Sequence, residues 1–145
     1  MRKDDTILVA THKEVPQALR NWFLFHFAVD ILFAIPLLLF PVYFLEALGW
    51  KIVDPVTARL VAAALFGIGI VSFTSNKSTL DTYRGMLNLK IFWSLGAITG
   101  LTISLIQGDQ GRPFTLWLLL FIFIAFNCLW VYWKNKVFHY KTDRT

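Results

Sequence analysis

Four long apolar stretches constrain this chain more than any other feature of its sequence. They run over residues 22–48, 55–75, 86–106 and 114–133. Each reaches or exceeds the roughly 20 residues that an α-helix needs to cross a hydrocarbon core about 30 Å thick. The bilayer interior offers no water to backbone groups, and the stretches lack the alternation of barrel strands, so they predict helices. We therefore predict one all-α domain, a polytopic antiparallel bundle of four transmembrane helices.

The composition agrees with a membrane protein and excludes several other classes. Hydrophobic residues make up 57% of the chain and charged residues only 16%, and the mean hydropathy is +0.58. A soluble domain has about a quarter of its residues charged. The single cysteine excludes a disulfide scaffold, and four spans leave no room for a separate catalytic domain within the 145 residues.

Basic residues predict the orientation of the bundle. Lysine and arginine are concentrated before span one, between spans two and three and after span four, at Arg2, Lys3, Lys13, Arg20, Lys77, Arg84, Lys90, Lys134, Lys136, Lys141 and Arg144. The positive-inside rule then places both termini, as short cytosolic tails, on the cytoplasmic side of a cell inner (cytoplasmic) membrane. An aromatic belt is expected at the same interface, at Trp22, Tyr83, Trp130, Tyr132 and Trp133. Anionic lipid accounts for the net charge of +5, so we expect membrane lipid and not nucleic acid as a partner.

Small residues recur every four positions on span three, at Gly96, Gly100 and Ser104, and span two carries Ala63 and Gly67. Such small-xxx-small patterns let helix backbones approach closely. One interpretation is that spans two and three pack against each other within the chain, as antiparallel neighbours often do. The other is that the pattern forms the face of a homo-oligomer.

Asp30 is the main anomaly, because it lies roughly 13 Å inside span one at about 1.5 Å per residue. A charged aspartate near the bilayer centre costs about 2.5 to 3.5 kcal/mol, so it should face the bundle interior and have a partner, or be protonated. His26 precedes it at the i,i+4 spacing that brings two side chains together on a helix.

The other spans contribute polar groups to the same half of the membrane, at Lys90, Asn127 and Ser72, while Trp93 either lines a cavity or belongs to the core. One interpretation is structural: Asp30 and Lys90 form an ion pair, and His26 and Asn127 complete its hydrogen bonding. The other is functional: the cluster is a polar pocket or a proton relay. Lys90 lies close enough to the interface to extend its ammonium into water, which weakens its case as a buried partner.

Searches for other chemistry are negative. The histidines and the cysteine, at His12, His26, His139 and Cys128, are dispersed over tails and different spans, so neither a zinc spacing nor a bis-histidine haem site is present. We therefore expect no metal, no cofactor and no catalytic residue, and a non-enzymatic role is favoured.

The segment RLVAAALFGIGIVS at residues 59–72, followed by YRGM at 83–86 and KIFWS at 90–94, resembles the central hairpin of small, uncharacterised four-helix membrane proteins of the DoxX-like kind. The resemblance covers mainly spans two and three. It implies a four-helix bundle in a bacterial or archaeal inner membrane, without an agreed activity, and it transfers no catalytic residue.

Three functional hypotheses follow. In the first, the bundle binds a small amphipathic ligand or lipid in a polar pocket near the inner leaflet, at His26, Asp30, Lys90, Asn127, Ser72 and Trp93. In the second, it is a structural or assembly subunit of a membrane complex. In the third, it is a proton-coupled carrier or membrane enzyme with Asp30 as the titrating group.

Overall fold

The computed structural model describes residues 15–111 and 113–139, which form helices and a short 3₁₀ turn without a strand. The elements are α1 Gln17–Leu39, α2 Pro41–Ala47, α3 Pro55–Thr74, the 3₁₀ turn Ser75–Lys77, α4 Leu80–Gln107 and α5 Phe114–His139. Helices α1, α3, α4 and α5 are long and apolar enough to cross a membrane. The predicted all-helical fold with four spans is confirmed. Most of the two predicted tails lies outside the described residues.

Proline divides the first predicted span into two helices. Phe40, which precedes Pro41, leaves the helical conformation with φ −134° and ψ 52°, and its N–H donates to the Pro36 carbonyl at 2.8 Å. A proline disfavours the helical conformation in the residue before it, so α1 ends at Leu39 and Pro41 begins α2. The first predicted span, residues 22–48, is therefore broken into two helices at Phe40.

Two other helix boundaries lie at residues that commonly cap helices. The Asp54 carboxylate accepts hydrogen bonds from the N–H groups of Val56 and Thr57, and so caps the start of α3 next to Pro55. Gly108 ends α4 in the left-handed region, with φ 75°. The Ser78 to Asp81 segment does not form the capping box that its spacing suggests, since Thr79 caps α4 without a side-chain hydrogen bond.

The helices pack as two pairs, with α1 along α3 and α4 along α5. At the end of the bundle where α1 begins and α5 finishes, here called the terminal end, one apolar cluster joins α1 to the second pair; its members include Leu19, Phe23, Leu87 and Trp130. At the opposite end, here called the α2 end, the Gln110 side chain bonds the backbone of Lys51 and Ile52. The two pairs are thus connected at both ends.

The small residues predicted to join spans two and three do not meet within the chain. Ala63, Gly67, Gly96 and Gly100 are exposed, Ser104 is partly exposed, and α3 does not run along α4. A Cβ atom placed at Gly67, Gly96 or Gly100 would find no neighbouring atom within 4 Å. That packing prediction is therefore wrong within one chain, because α3 packs along α1 and α4 along α5, which leaves the small residues of both helices facing outward. The homo-oligomer interpretation stays a prediction.

Candidate functional site

Three ionisable side chains meet inside the bundle, His26 and Asp30 from α1 and Lys90 from α4. Asp30 lies roughly 20 Å along α1 from Gln17, counted at about 1.5 Å per residue, and is only 4% exposed. Lys90 is 1% exposed, so it does not extend into water from the interface as the sequence allowed. We refer to His26, Asp30 and Lys90 as the triad.

His26 stands between the two oppositely charged groups. Its Nδ1 atom lies 2.7 Å from Asp30 Oδ2 and 3.1 Å from Lys90 Nζ. Within the described residues, no oxygen of Asp30 lies within 4.0 Å of Lys90 Nζ. The direct Asp30–Lys90 ion pair that the sequence suggested is therefore replaced by a contact through the imidazole ring.

One ring nitrogen cannot satisfy both neighbours at once. If Nδ1 carries a proton it donates to Asp30, and the Lys90 ammonium then faces an N–H group. If Nδ1 is unprotonated it accepts from Lys90, and the Asp30 oxygen then faces a lone pair. The geometry favours the second arrangement, since Lys90 Nζ is in hydrogen-bond geometry with Nδ1, whereas Asp30 Oδ2 lies close without an aligned donor. The position of one proton thus decides which partner His26 bonds.

Aromatic rings enclose the lysine and the histidine. Lys90 Nζ lies 4.9 Å from the ring centroid of Phe23 and 5.1 Å from that of Trp130. The His26 ring packs edge to face against Phe126 and Trp130. Cation–π attraction contributes about 2 kcal/mol or more when the cation is desolvated, so the rings stabilise the buried ammonium. Sequence reasoning placed Trp130 in the interfacial belt, but it is buried, as are Tyr83 and Trp133.

A second set of hydrogen bonds links the α4 backbone at Lys90 to α5. The Ser94 hydroxyl donates to the Lys90 carbonyl at 2.7 Å and accepts a hydrogen bond from Asn127 Nδ2 at 2.8 Å. Asn127 Nδ2 also donates to the Ile91 carbonyl. Asn127 therefore ties α5 to α4 and does not contact the triad. Ser94 was not predicted, although it lies one turn after Lys90 on the same face of α4.

The remaining predicted site residues lie outside the triad. Ser72 is buried and donates to the carbonyl of Ile68 in its own helix. Trp93 is half-buried and takes no part in the hydrogen bonds and ring contacts that hold the triad. The residue of α3 that does approach is Gly69, where a Cβ atom would lie 3.0 Å from Asp30 Cβ. Residue spacing within α3 cannot predict that Gly69 faces Asp30, because this depends on how α3 is rotated about its axis relative to α1.

The triad consists of three titratable side chains. No group of three metal-ligating side chains occurs among the described residues. With Asp30 and Lys90 charged and His26 neutral, the three groups together carry no net charge. One added proton would leave a net positive charge in this buried site.

Comparison with known proteins gives no match: no family model, no curated protein and no solved structure matches this chain. The DoxX-like resemblance therefore stays a prediction. The chain is an integral, multi-pass membrane protein by its four apolar helices. Any statement about its activity depends on the site itself.

Proposed function

We propose that this integral membrane protein is a small proton-coupled carrier in which the triad takes up and releases protons. The observation that supports this is the position of His26 Nδ1, within hydrogen-bonding distance of both Asp30 Oδ2 and Lys90 Nζ. A proton is the ligand that such a closed site can accept without first opening. Ionisable groups inside spans are commonly parts of ion or proton pathways, which favours this function over a purely structural ion pair.

The cargo that we propose is a small amphipathic molecule or lipid from the leaflet nearest the terminal end. Lys90 itself fills the aromatic enclosure, so a ligand would not replace it there but would bind beside the triad. Of the six pocket residues that the sequence suggested, only three therefore belong to the proposed site. Asp30, His26 and Lys90 are its titrating part, whereas Asn127 acts through Ser94.

We place the terminal end on the cytoplasmic side of an inner membrane. At that end the described residues include five basic side chains, Arg20, Lys77, Arg84, Lys134 and Lys136, against the single acid Asp81. Toward the α2 end the sequence has Lys51, Arg59 and Arg112 against Glu46, Asp54 and Asp109. This asymmetry is what the positive-inside rule uses. The orientation can be tested with a reporter that is active only outside the cytoplasm, fused after Thr145. A signal from this reporter would contradict the proposed orientation.

Proton flux into proteoliposomes tests the proposal. Vesicles carrying a pH gradient, an internal pH dye and a potassium/valinomycin clamp should dissipate the gradient faster with wild-type protein than without it, with or without added membrane lipid extract as a source of cargo. Asp30→Asn should return the rate to that of protein-free vesicles. The matched control is Asp54→Asn, which removes a carboxylate outside the spans and should keep the wild-type rate. A folded Asp30→Asn protein with undiminished flux, or wild-type protein without flux under both conditions, would refute the carrier.

The histidine tautomer provides an independent measurement. In wild-type protein, ¹⁵N NMR of the imidazole should show Nδ1 as the unprotonated atom. In Lys90→Met, which keeps an apolar stem against Phe23 and Trp130, the ring proton should move to Nδ1, where it can bond Asp30. An unchanged tautomer would show that His26 does not join the two charges.

A second candidate is a structural or assembly subunit, and the exposed ridge of Gly96 and Gly100 favours it. Both glycines have open space beside them, so a neighbouring helix, from a second copy or from a larger complex, can approach closely. Native mass spectrometry in mild detergent tests this. Oligomers that are lost in Gly96→Leu but kept in Leu118→Ala would favour the subunit, and a monomer in both would oppose a homo-oligomer.

A further inference from the structure

Two buried side chains at the terminal end have hydrogen-bond donors without acceptors. Tyr83 is 0% exposed and Trp133 is 5% exposed, yet the Tyr83 hydroxyl and the Trp133 indole N–H have no partner. Buried polar groups are nearly always paired, and an unpaired one costs free energy comparable to a lost hydrogen bond. An indole N–H can only donate, so the missing partner is an acceptor.

A third donor and two positive charges lie at the same place. Arg84 follows Tyr83 on α4, its Nη2 donates to the Val137 carbonyl at 3.4 Å, and its buried Nε has no partner. Val137 lies one turn beyond Trp133 on α5, so this contact brings the start of α4 to the same turn of α5 that carries Trp133. Lys136 Nζ lies 5.0 Å from the centroid of a Trp133 ring. The donors therefore lie in positive surroundings.

The backbone contributes in the same direction. Helix α4 begins at Leu80, and no side chain caps its first N–H groups. The start of a helix carries a partial positive charge and attracts anions. The opposing charge is Asp81, whose carboxylate binds Arg84 Nη1 at 2.9 Å but is 86% exposed in its side chain. Asp81 therefore occupies one edge of the guanidinium and leaves Nε to another acceptor.

We propose that the start of α4 and the end of α5 bind the phosphate of an anionic phospholipid, with Trp133 Nε1, Arg84 Nε and the Tyr83 hydroxyl as donors. A phosphodiester offers several strong acceptor oxygens, and arginine matches its geometry. The site lies at the end of two membrane spans and beside the exposed ring of Tyr132, whose centroid is 5.5 Å from that of Trp133. A lipid headgroup would be held there with its chains along the helices. This site is separate from the triad, and the proposal stands whether or not the triad carries protons.

Lipid binding to the intact protein in nanodiscs tests the proposal. Phosphatidylglycerol is titrated into phosphatidylcholine, and retained lipid is counted by native mass spectrometry while thermal stability is followed in parallel. Trp133→Phe removes the indole N–H and part of the ring but no charge, so it separates this site from the general attraction of basic residues for anionic lipid. We expect it to weaken phosphatidylglycerol binding about tenfold, the effect of one hydrogen bond to a charged group. Arg84→Gln should have at least the same effect.

The thermal stability of the variants in the absence of anionic lipid provides a second test of the proposed site. In phosphatidylcholine alone, Tyr83→Phe deletes an unpaired hydroxyl and keeps the ring, so this variant should be at least as stable as wild type. The matched control is Trp117→Phe on the exposed surface near the α2 end, which should keep wild-type lipid binding. Unchanged phosphatidylglycerol affinity in both Trp133→Phe and Arg84→Gln would overturn the proposal. Complete displacement of the lipid by millimolar inorganic phosphate would show a site for free phosphate and would overturn the lipid assignment.

Discussion

Neutralising Lys90 should destabilise the protein far more when Asp30 is charged than when residue 30 is already asparagine. Lys90→Met keeps most of the side-chain volume against Phe23 and Trp130 and removes the ammonium. The Asp30 carboxylate is then left buried without a compensating charge. Breaking one member of a buried charged set typically costs about 3 to 5 kcal/mol. In the Asp30→Asn background the same change removes a charge that no longer has its counterpart, so it should cost less.

The structure sets the size of this coupling. The two distances from His26 Nδ1, 2.7 Å to Asp30 Oδ2 and 3.1 Å to Lys90 Nζ, allow the charged atoms to be no more than about 5.8 Å apart. No Asp30 oxygen lies within 4.0 Å of Lys90 Nζ. Unit charges about 5 Å apart attract each other by ~3 kcal/mol at an effective dielectric constant of about 20. We therefore expect a coupling energy of about 2 to 3 kcal/mol.

A double-mutant cycle in bicelles, with reversible unfolding by SDS, measures this coupling. The matched control is the pair Asp81 and Arg84, whose oxygen–nitrogen distance is only 2.9 Å but whose side chains are 86% and 30% exposed. Solvated pairs contribute about 0 to 1 kcal/mol, so the shorter pair should couple more weakly than the longer, buried one. Coupling between residues 30 and 90 below about 0.5 kcal/mol, or below that of the control pair, would refute the charge assignment of the triad.

Three further outcomes are expected. Gly69→Ala should lower the free energy of unfolding by about 1 to 3 kcal/mol, since its Cβ would lie 3.0 Å from Asp30 Cβ, whereas Gly67→Ala, which meets open space, should be neutral or stabilising in the same assay. Asn127→Leu should cost about 0.6 to 1.7 kcal/mol, the range for hydrogen bonds between membrane helices, and a larger loss would point to a direct role in the triad. Hydrogen bonds from the next turn hold the pKa of Asp54 below its ordinary value, so its stabilisation is present above about pH 4 and is lost as the pH falls through the lower folded pKa. Wild type should therefore lose more stability on acidification than Asp54→Asn, as measured by unfolding at each pH.

Most of the fold was predictable because the membrane imposes it. Length and hydropathy predict the four spans, and local chemistry predicts their ends at Asp54 and Gly108. The break at Phe40 was predictable as a distortion but not as a separate helix α2, because a proline next to a helix end permits either. The interfacial aromatic belt was predicted less well. Tyr83, Trp130 and Trp133 lie near the ends of the spans, where such a belt is expected, but their rings pack in the core.

The triad was predictable in its members but not in its geometry. Asp30 and His26 share a face by their i,i+4 spacing, which one helix alone determines. The position of Lys90 relative to them depends on how α4 is rotated and tilted against α1, and no pattern within α4 specifies this. The same limit explains the small residues of α3: Ala63 and Gly67 fit the spacing rule, but the helix rotation turns Gly69 toward Asp30 and leaves Gly67 exposed.

The triad also links the two helix pairs, which gives a proton a mechanical consequence. Asp30 and His26 belong to α1, which packs along α3, whereas Lys90 belongs to α4, which packs along α5. With Asp30 and Lys90 both charged, an added proton would create a net charge in a buried site, where it is poorly stabilised. This cost is relieved if a proton leaves or if water reaches the triad, and we expect water to reach the buried Lys90 by a loosening of the packing between the two pairs. Protonation of the triad and the relative movement of the two pairs are therefore expected to be coupled, which is the property that a proton-coupled carrier needs.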